Sequence, residues 1–236
     1  MLFLLVAFLA ACGMSPSGNT MNEQEHQWQS ARQQMVEEQL RRRDVRDERV
    51  LQAMATVPRH LFVPTVLQSQ AYDDGPLPIG QEQTISQPYI VAVMTESLRL
   101  KGVETVLEIG TGSGYQAAIL SLLVKQVYSV EIIPQLAETA RQRLASLGYK
   151  NVEVIVGDGN KGWPLKSPYE AIIVTAAAPQ IPPALLDQLA EGGRMVLPVE
   201  VDNEQHLLRL QKVDGKIVRE NLGPVRFVPL VSGSKS

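Results

Sequence analysis

The chain has 236 residues, of which 44% are hydrophobic and 20% are charged, so it has enough apolar side chains for a sizeable core and is not wholly disordered. Its formal net charge is -3 and only 5% of its residues are aromatic, which argues against a nucleic-acid-binding surface. A single cysteine cannot form a disulfide within the chain. These totals predict a globular protein that neither depends on disulfides nor binds nucleic acid.

An apolar run covers residues 2–12 and ends at Cys12. As a helix it would extend about 16 Å, roughly half of a bilayer core, which is too short to span a membrane. It resembles the hydrophobic part of a signal peptide, and residues 9–12 resemble a lipoprotein cleavage site, but no Lys or Arg precedes the run. We therefore expect residues 1–20 to be a leader or a non-native extension with a linker, and the protein to be cytoplasmic with its start at or after Met14. The alternative is an exported lipoprotein anchored through Cys12.

Helices and a long irregular region are predicted next. Residues 23–43 lack Gly and Pro and predict a helix, and the apolar spacing over residues 47–57 predicts a second helix that Pro58 ends. Residues 58–88 are rich in Pro and Gly and predict a structured loop region, whose length itself suggests a function. An apolar helix is expected over residues 89–98.

From residue 101 onwards, strand-like and helix-like segments alternate. Strands are predicted over residues 105–109, 127–130, 152–156, 171–174 and 194–197, and helices over residues 115–124, 134–147 and 185–190, the last closed by Gly192 and Gly193. This alternation predicts an α/β fold, with a doubly wound and mostly parallel sheet. Two further strands, over residues 207–213 and 216–220, predict a C-terminal β-hairpin. We expect one domain over residues 21–236, in which residues 21–100 precede the sheet of residues 101–236.

A glycine-rich loop is the strongest local signal for a ligand. The predicted strand of residues 105–109 runs into Gly110, Thr111, Gly112 and Gly114, and a helix follows. Glycines permit a tight turn and a close approach of the backbone to a ligand, and the helix N-terminus adds free N–H groups with a partial positive charge.

Two later strand ends carry further candidate contacts. Glu131 lies 21 positions after Gly110, where an acidic side chain can accept hydrogen bonds from ribose hydroxyls. Asp158 and Gly159 follow the third strand, where the carboxylate can accept the amino hydrogens of adenine. Taken alone, Glu131 could be an exposed strand-end carboxylate and Asp158 part of a simple turn. Because ligands bind outside the carboxyl ends of strands in open α/β sheets, we expect these residues to meet at one site.

Glycine spacing and a nearby charge separate two classes of ribose ligand. The dinucleotide pattern is Gly-x-Gly-x-x-Gly, and Tyr115 stands where its third glycine belongs. Glu108, just before the loop, would repel a pyrophosphate and favour a cationic group. S-adenosylmethionine carries a sulfonium and an amino group and no phosphate, so the charges favour it over NAD.

The polar residues Thr84, Ser86 and Gln87 precede the predicted helix of residues 89–98. Ser86 fits a helix N-cap, with Pro88 in the first turn. Beyond this stretch, a set of segments spread over about residues 35–230 forms a recognisable pattern: residues 57–64, 77–80, 83–88, 106–115, 157–159, 172–177 and 225–230. In these segments the chain resembles the protein-L-isoaspartate O-methyltransferase family. Residues 84–88 and 226–230 are specific to that family, whereas the glycine loop marks methyltransferases in general. Glu82, where glycine is common, and Asn160-Lys161 depart from the family pattern.

The resemblance implies a Rossmann-like methyltransferase fold and methyl transfer from S-adenosylmethionine to the α-carboxylate of isoaspartyl residues in damaged proteins and peptides, which initiates their repair. It implies that Ser86 is the active-site serine and that Thr84 and Gln87 contact the substrate. The residues expected to hold the cofactor are Glu108, Gly110, Thr111, Gly112, Gly114, Glu131, Asp158 and Gly159. A carboxylate is already ionised at pH 7, so no strong general base is required.

We expect a monomer with no metal, and a membrane association only if Cys12 is lipidated. Two alternatives remain open at this point. One is a methyltransferase with another acceptor, and the other is a catalytically inactive, lipid-anchored binding protein.

Overall fold

The computed structural model describes residues 17–233, with side chains from residue 23 onwards. Cys12 and Met14, and with them the predicted cleavage site and start, lie outside the described residues. Residues 17–20, which were expected to be linker, begin the first helix. Between residues 17 and 233, no helix is both long enough and apolar enough to cross a membrane.

The part that precedes the sheet consists of short helical and extended segments. Its elements are α1 (Ser17–Met35), α2 (Glu48–Thr56), β1 (Leu77–Gly80), β2 (Gln83–Ile85) and α3 (Pro88–Ser97). After α1 the chain continues through a π-helical turn, Val36–Leu40, and a 3-10 turn, Arg41–Arg43, so the predicted helix over residues 23–43 changes its winding near its end. The predicted loop region of residues 58–88 contains two 3-10 turns and the antiparallel β1–β2 pair.

A seven-stranded sheet forms the rest of the fold, in the order β5-β4-β3-β6-β7-β8-β9. Its strands are β3 (Thr105–Ile109), β4 (Gln126–Glu131), β5 (Val152–Val156), β6 (Tyr169–Val174), β7 (Leu189–Val201), β8 (Glu204–Val213) and β9 (Lys216–Pro224). The helices between them are α4 (Tyr115–Ser121), α5 (Pro134–Ser146) and α6 (Pro183–Gln188). The strands β3 to β7 pair in parallel, and β8 and β9 add an antiparallel hairpin. The predicted α/β class with a mostly parallel sheet is confirmed.

The end of α6 differs from the prediction. The helix ends at Gln188, and β7 begins at once, so Gly192 and Gly193 lie within the strand and do not close the helix. The register between β6 and β7 shifts between Tyr169 and Ala171, opposite these glycines. A Cβ on Gly193 would lie 2.8 Å from the carbonyl oxygen of Ala190, which explains the glycine at this irregular point.

Alternate residues of the central strands face two separate cores. On β3, Val106 belongs to the core that α1 to α5 cover, whereas Leu107 and Ile109 belong to the core that α6 covers. The chain returns past the carboxyl end of β6, where the N–H of Ala177 donates to the carbonyl of Val228 (2.8 Å) and the N–H of Leu230 donates to the carbonyl of Ala177 (2.7 Å). These bonds place the C-terminal segment beside the strand ends.

Candidate functional site

An open cleft of about 590 Å³ lies at the carboxyl ends of β3, β4 and β6. Its walls include five of the predicted site residues: Thr84, Gly110, Gly112, Glu131 and Gly159. The other lining residues are Gln83, Ile109, Val130, Ile132, Ile133, Thr175, Ala176, Val228, Pro229, Leu230 and Val231. Among the described residues, no lysine or arginine lines this cleft, and Glu131 supplies the one charged side chain of its walls.

Gly110 turns the chain sharply at the end of β3. Its φ is +94°, and a Cβ at this position would clash with the Oγ1 of Thr175. The Thr175 hydroxyl lies so close because it hydrogen-bonds to the carbonyls of Gly110 (2.6 Å) and Ile109 (3.0 Å). The glycine loop is therefore fixed from the neighbouring strand, and only glycine fits at this point.

Glu131 ends β4 and is only 5% exposed, although it lines the cleft. Its Oε2 accepts the N–H of Gly112 (2.8 Å), and its Oε1 accepts the N–H of Ile133 (3.0 Å). These two bonds hold the carboxylate in one orientation and tie it to the glycine loop. Each oxygen retains a lone pair that can accept a further hydrogen bond from a ligand hydroxyl.

Glu108 was expected to contact the ligand directly, but in the structure its side chain lies behind the glycine loop and outside the cleft wall. It is fully buried and lies on the side of β3 opposite Leu107, so it does not line the cleft. Ser129 donates to its Oε2 (2.5 Å), and the Ser129 and Thr111 hydroxyls lie 2.6 Å apart. Its Oε1 has no hydrogen-bond partner among the described residues. Burial raises the pKa of Glu108 to about 8, and the nearby charge of Glu131 adds to this.

Asp158 lies beside the cleft rather than in its wall. Its Oδ1 accepts the N–H of Asn160 (3.0 Å), which caps the 3-10 turn Gly159–Lys161, and its Oδ2 accepts the N–H of Gly233 (3.4 Å). Although burial raises the pKa of Asp158, the hydrogen bonds from Asn160 and Gly233 outweigh it and hold this pKa below its ordinary value. Gly159 itself lines the cleft, where a Cβ would clash with Ile109.

A second hollow and a wide groove adjoin the cleft. The hollow lies over the glycine loop, and its walls include Ser86, Thr111 and Tyr115. The groove, of about 1340 Å³, is lined by Arg43, Pro76, Thr84, Ser86, Gln87, Tyr89, Ile90, Thr175, Pro224, Val225, Arg226, Phe227 and Val228. Thr84 and Thr175 line all three spaces, so they mark the point where the cleft meets the groove.

The sequence analysis did not single out Thr175. It directly follows β6, which is the same kind of strand-end position that drew attention to Glu131 and Asp158. Because ligands bind at the carboxyl ends of parallel strands, a hydroxyl side chain directly after the fourth of these strands is a signal from which Thr175 could have been predicted.

Ser86 does not cap α3. The N-cap residue is Gln87, and no side chain of the described residues forms a capping hydrogen bond to this helix, so the capping interpretation is wrong. The half-buried Ser86 faces the hollow and the groove, and its carbonyl accepts the Nη2–H of Arg59 (2.8 Å). Gln87 donates to the Oδ1 of Asp74 (2.7 Å), whose Oδ2 pairs with Arg43 (2.7 Å).

The opposite wall of the groove is the segment of residues 225–228. Gln205 on β8 holds Phe227 from both sides, since its Oε1 accepts the Phe227 N–H (2.6 Å) and its Nε2 donates to the Phe227 carbonyl (3.2 Å). The neighbouring Arg226 is exposed at the groove. The walls of the groove thus combine the aromatic side chains of Tyr89 and Phe227 with the exposed guanidinium of Arg226. Such a surface suits an extended peptide that carries a carboxylate.

The turn between β1 and β2 contains one departure from the family pattern. Gln81 and Glu82 have φ values of +52° and +58°, in the left-handed region that favours glycine. A glycine is common at the position of Glu82 in the resembling family, and the backbone conformation explains why. The turn keeps its shape with a larger side chain at a cost in local strain.

Comparisons with known proteins find relatives that are similar to this chain in sequence and in fold. The family described as protein-L-isoaspartate(D-aspartate) O-methyltransferase (PCMT) matches residues 30–235. A protein-L-isoaspartate O-methyltransferase of Methanoculleus marisnigri is 56% identical over 200 residues, which cover 85% of this chain and 91% of that protein. Protein-L-isoaspartate O-methyltransferase 1 of Syntrophobacter fumaroxidans is 57% identical over 204 residues, which cover 86% and 95%.

Among solved structures, a Plasmodium falciparum protein described as a protein-L-isoaspartate O-methyltransferase superposes with a TM-score of 0.76 at 26% identity. The match covers 86% of this chain and 99% of that one, and that protein was solved in complex with S-adenosyl-L-homocysteine.

Proposed function

The chain belongs to the protein-L-isoaspartate(D-aspartate) O-methyltransferase family, and we propose that it transfers a methyl group from S-adenosylmethionine to the α-carboxylate of isoaspartyl residues in damaged proteins and peptides. The observation that carries this proposal is the junction at Thr84 and Thr175. There the cleft that contains Glu131 opens into the groove that contains Ser86, so a methyl donor and an extended peptide can meet at one point.

The residues of the cleft fit S-adenosylmethionine. Its walls offer a fixed carboxylate for ribose hydroxyls, a glycine backbone for close approach, and apolar side chains such as Ile133 and Leu230 for the adenine ring. Among the described residues these walls contain no basic side chain that could pair with a pyrophosphate, and none that would repel a cationic ligand. When bound, S-adenosylmethionine supplies an electrophilic methyl group. The Plasmodium falciparum neighbour, solved with S-adenosyl-L-homocysteine, supports this assignment.

Three of the residues expected to hold the cofactor, Glu108, Asp158 and Gly114, take indirect roles in this proposal. Glu108 positions the glycine loop through Ser129 and Thr111, and Asp158 positions Gly159 by capping the turn that follows it. Gly110, Gly112, Glu131 and Gly159 remain direct contacts, because they line the cleft. Gly114 acts through the loop, where it precedes α4 with a φ of +87°.

Chemistry on the acceptor side needs orientation rather than a strong base. The acceptor carboxylate is ionised at pH 7, so the chain has only to place its oxygen in line with the methyl group and exclude water. Ser86 donates a hydrogen bond to this carboxylate, Thr84 contacts it at the junction, and Gln87 keeps the groove wall in place through Asp74. The exposed Arg226 favours the approach of an anionic substrate.

A paired peptide assay tests the proposal. The purified protein is incubated with radiolabelled S-adenosylmethionine and either an isoaspartyl peptide or its normal aspartyl twin. We expect label in the isoaspartyl peptide alone, as a base-labile methyl ester. Equal labelling of both peptides, or of neither, contradicts the acceptor assignment. Calorimetry with S-adenosyl-L-homocysteine distinguishes the remaining cases, because a methyltransferase with another acceptor still binds this product.

We propose that the protein acts in the cytoplasm, because S-adenosylmethionine is made there and an exported enzyme would need another supply. The test is to express the full reading frame with its native upstream region, fractionate the cells and sequence the N-terminus of the mature chain. Recovery from the cytoplasmic fraction is expected. A mature chain that begins at an acylated Cys12 in the membrane fraction contradicts this proposal.

A further inference from the structure

Arg59 is a buried cation that the proposed chemistry does not use directly. Its exposed fraction is 0%, and among the described residues no carboxylate forms an ion pair with it. Burial lowers the pKa of Arg59 to about 10, which reflects the energetic penalty of holding a charge away from water. Buried charges are ordinarily paired, so a guanidinium without a carboxylate needs another explanation.

The guanidinium is used to hold backbone carbonyls. Its Nε–H donates to the carbonyl of Ala71 (2.7 Å), and its Nη2–H donates to the carbonyl of Ser86 (2.8 Å). The first carbonyl lies three residues before Asp74, which holds Gln87, and the second belongs to the proposed active-site serine. Nη1 has no hydrogen-bond partner among the described residues. Both ends of the segment of residues 71–86 are therefore fixed by one rigid fork.

The same side chain reaches the cofactor side of the site. Its guanidinium carbon lies 4.9 Å from the centre of the Tyr115 ring, in a cation–π contact. Tyr115 is the first residue of α4, directly after the glycine loop, is 1% exposed, and lines the hollow together with Ser86. Arg59 thus contacts both the segment that carries Ser86 and the helix that begins at the glycine loop.

We propose that Arg59 is a positioning residue for methyl transfer, which sets the location of Ser86 relative to the glycine loop through the Ser86 carbonyl and the Tyr115 ring. This inference rests on the proposed function. It follows that the planar fork matters more than the charge. Lysine keeps the charge but cannot donate to both carbonyls in a fixed geometry.

The test compares two Arg→Lys variants. Arg49 is the matched control, because it also donates to two backbone carbonyls, those of Leu100 (2.8 Å) and Leu123 (2.9 Å), but lies away from the cleft. We expect Arg59→Lys to lower kcat on the isoaspartyl peptide by roughly tenfold to a hundredfold, as small misplacements of reacting groups do. The affinity for S-adenosyl-L-homocysteine should stay within about twofold of the parent, and Arg49→Lys should leave kcat unchanged.

Double-mutant analysis asks whether Arg59 acts through Ser86. If it does, Arg59→Lys combined with Ser86→Ala should lower kcat by clearly less than the product of the two single effects. Independent, multiplicative effects would overturn the inference. A parallel fall of kcat, ligand affinity and unfolding temperature in Arg59→Lys would overturn it too, because it would show a merely structural role.

A second variant covers the case in which Arg59→Lys does not fold. Arg59→Met removes the buried charge and keeps most of the side-chain volume, which offsets part of the stability lost with the hydrogen bonds to Ala71 and Ser86. The inference expects a folded variant that binds S-adenosyl-L-homocysteine and turns over slowly. Normal turnover in this variant, or failure of both variants to fold, overturns the inference. An inactive parent protein would instead contradict the proposed function.

Discussion

Two glutamates at the ends of adjacent strands show how local donors decide what a buried carboxylate can do. Glu131 accepts two backbone N–H groups and faces the cleft, whereas Glu108 accepts one serine hydroxyl and leaves an oxygen without a partner in the described structure. The pKa of Glu108 therefore rises to about 8, because a single donor does not compensate for its burial. The two residues share a chemistry but only one of them can contact a ligand.

Replacement of Glu108 by Gln should change how stability depends on pH. Between the ordinary value of 4.5 and about 8, the folded parent keeps the Glu108 proton that the unfolded chain has lost. The contribution of the protonated Glu108 to the free energy of unfolding is therefore fully present below pH 4.5 and decreases as the pH rises towards 8. Glutamine does not titrate, so the unfolding temperature of Glu108→Gln should rise relative to that of the parent between pH 5 and pH 8. Thermal unfolding across this range measures it, with the exposed Glu153→Gln as control. A constant difference would contradict the assignment.

Glu131→Ala should weaken S-adenosyl-L-homocysteine binding by about 1.5–3 kcal/mol, or roughly tenfold to a hundredfold, the size of a lost charge-assisted hydrogen bond. Calorimetry well below the unfolding temperature is required, since the change also frees the N–H groups of Gly112 and Ile133. The exposed Glu153→Ala serves as the control. An unchanged affinity would mean that Glu131 serves only to hold the loop.

Ser86→Ala should lower kcat on the isoaspartyl peptide roughly tenfold or more, because one oriented hydrogen bond to a charged group is lost. Because no side chain caps α3, the unfolding temperature should change little. Steady-state kinetics and thermal unfolding check both statements, and Ser146→Ala on the exposed end of α5 is the control. Unaltered turnover with a lower unfolding temperature would assign Ser86 a structural role.

At the level of elements, the sequence predicted what depends on local pattern. The strands over residues 105–109 and 152–156 agree with the prediction at both ends, because short runs rich in Val and Ile between turn residues are typical of strands. The orientation of Glu108 could not be predicted, since it depends on which face of β3 turns towards α4 and the glycine loop. The place of Gly193 depends likewise on a register shift against a strand more than twenty residues earlier in the chain.

The C-terminal wall of the site is an element that local patterns do not reveal. Residues 225–230 have no regular periodicity, and the family resemblance alone drew attention to them. Their position follows from contacts with distant partners, Ala177 and Gln205. Sequence analysis could therefore predict the cofactor side of the site better than the substrate side.

Gln205→Ala should loosen the groove more than the cleft. It removes both hydrogen bonds to Phe227, while Ala177 still holds Val228 and Leu230. We expect the KM for the isoaspartyl peptide to rise about fivefold to thirtyfold, which corresponds to 1–2 kcal/mol, with a much smaller change in S-adenosyl-L-homocysteine affinity. Initial rates and calorimetry separate the two, and Gln211→Ala on the same strand is the control. If peptide KM and S-adenosyl-L-homocysteine affinity were impaired by the same factor, Gln205 and Ala177 would not hold the C-terminal segment independently.

At the scale of the whole molecule, the sheet separates two cores and brings distant parts of the chain together at the carboxyl ends of its parallel strands. The cleft is lined by residues that range from Gln83 to Val231 along the sequence. None of these segments forms a site by itself, because each supplies one wall.

A cleft assembled from such distant segments makes ligand binding a form of thermodynamic linkage. A ligand that requires all the walls stabilises each of them against local opening, by about 2.7 kcal/mol when its concentration is 100 times its dissociation constant. Amide hydrogen exchange at Gly112, Ile133 and Leu230 should then slow together, although these residues belong to different segments. The turn at Asp214 and Gly215, at the far end of the β8–β9 hairpin, should keep its own exchange rate.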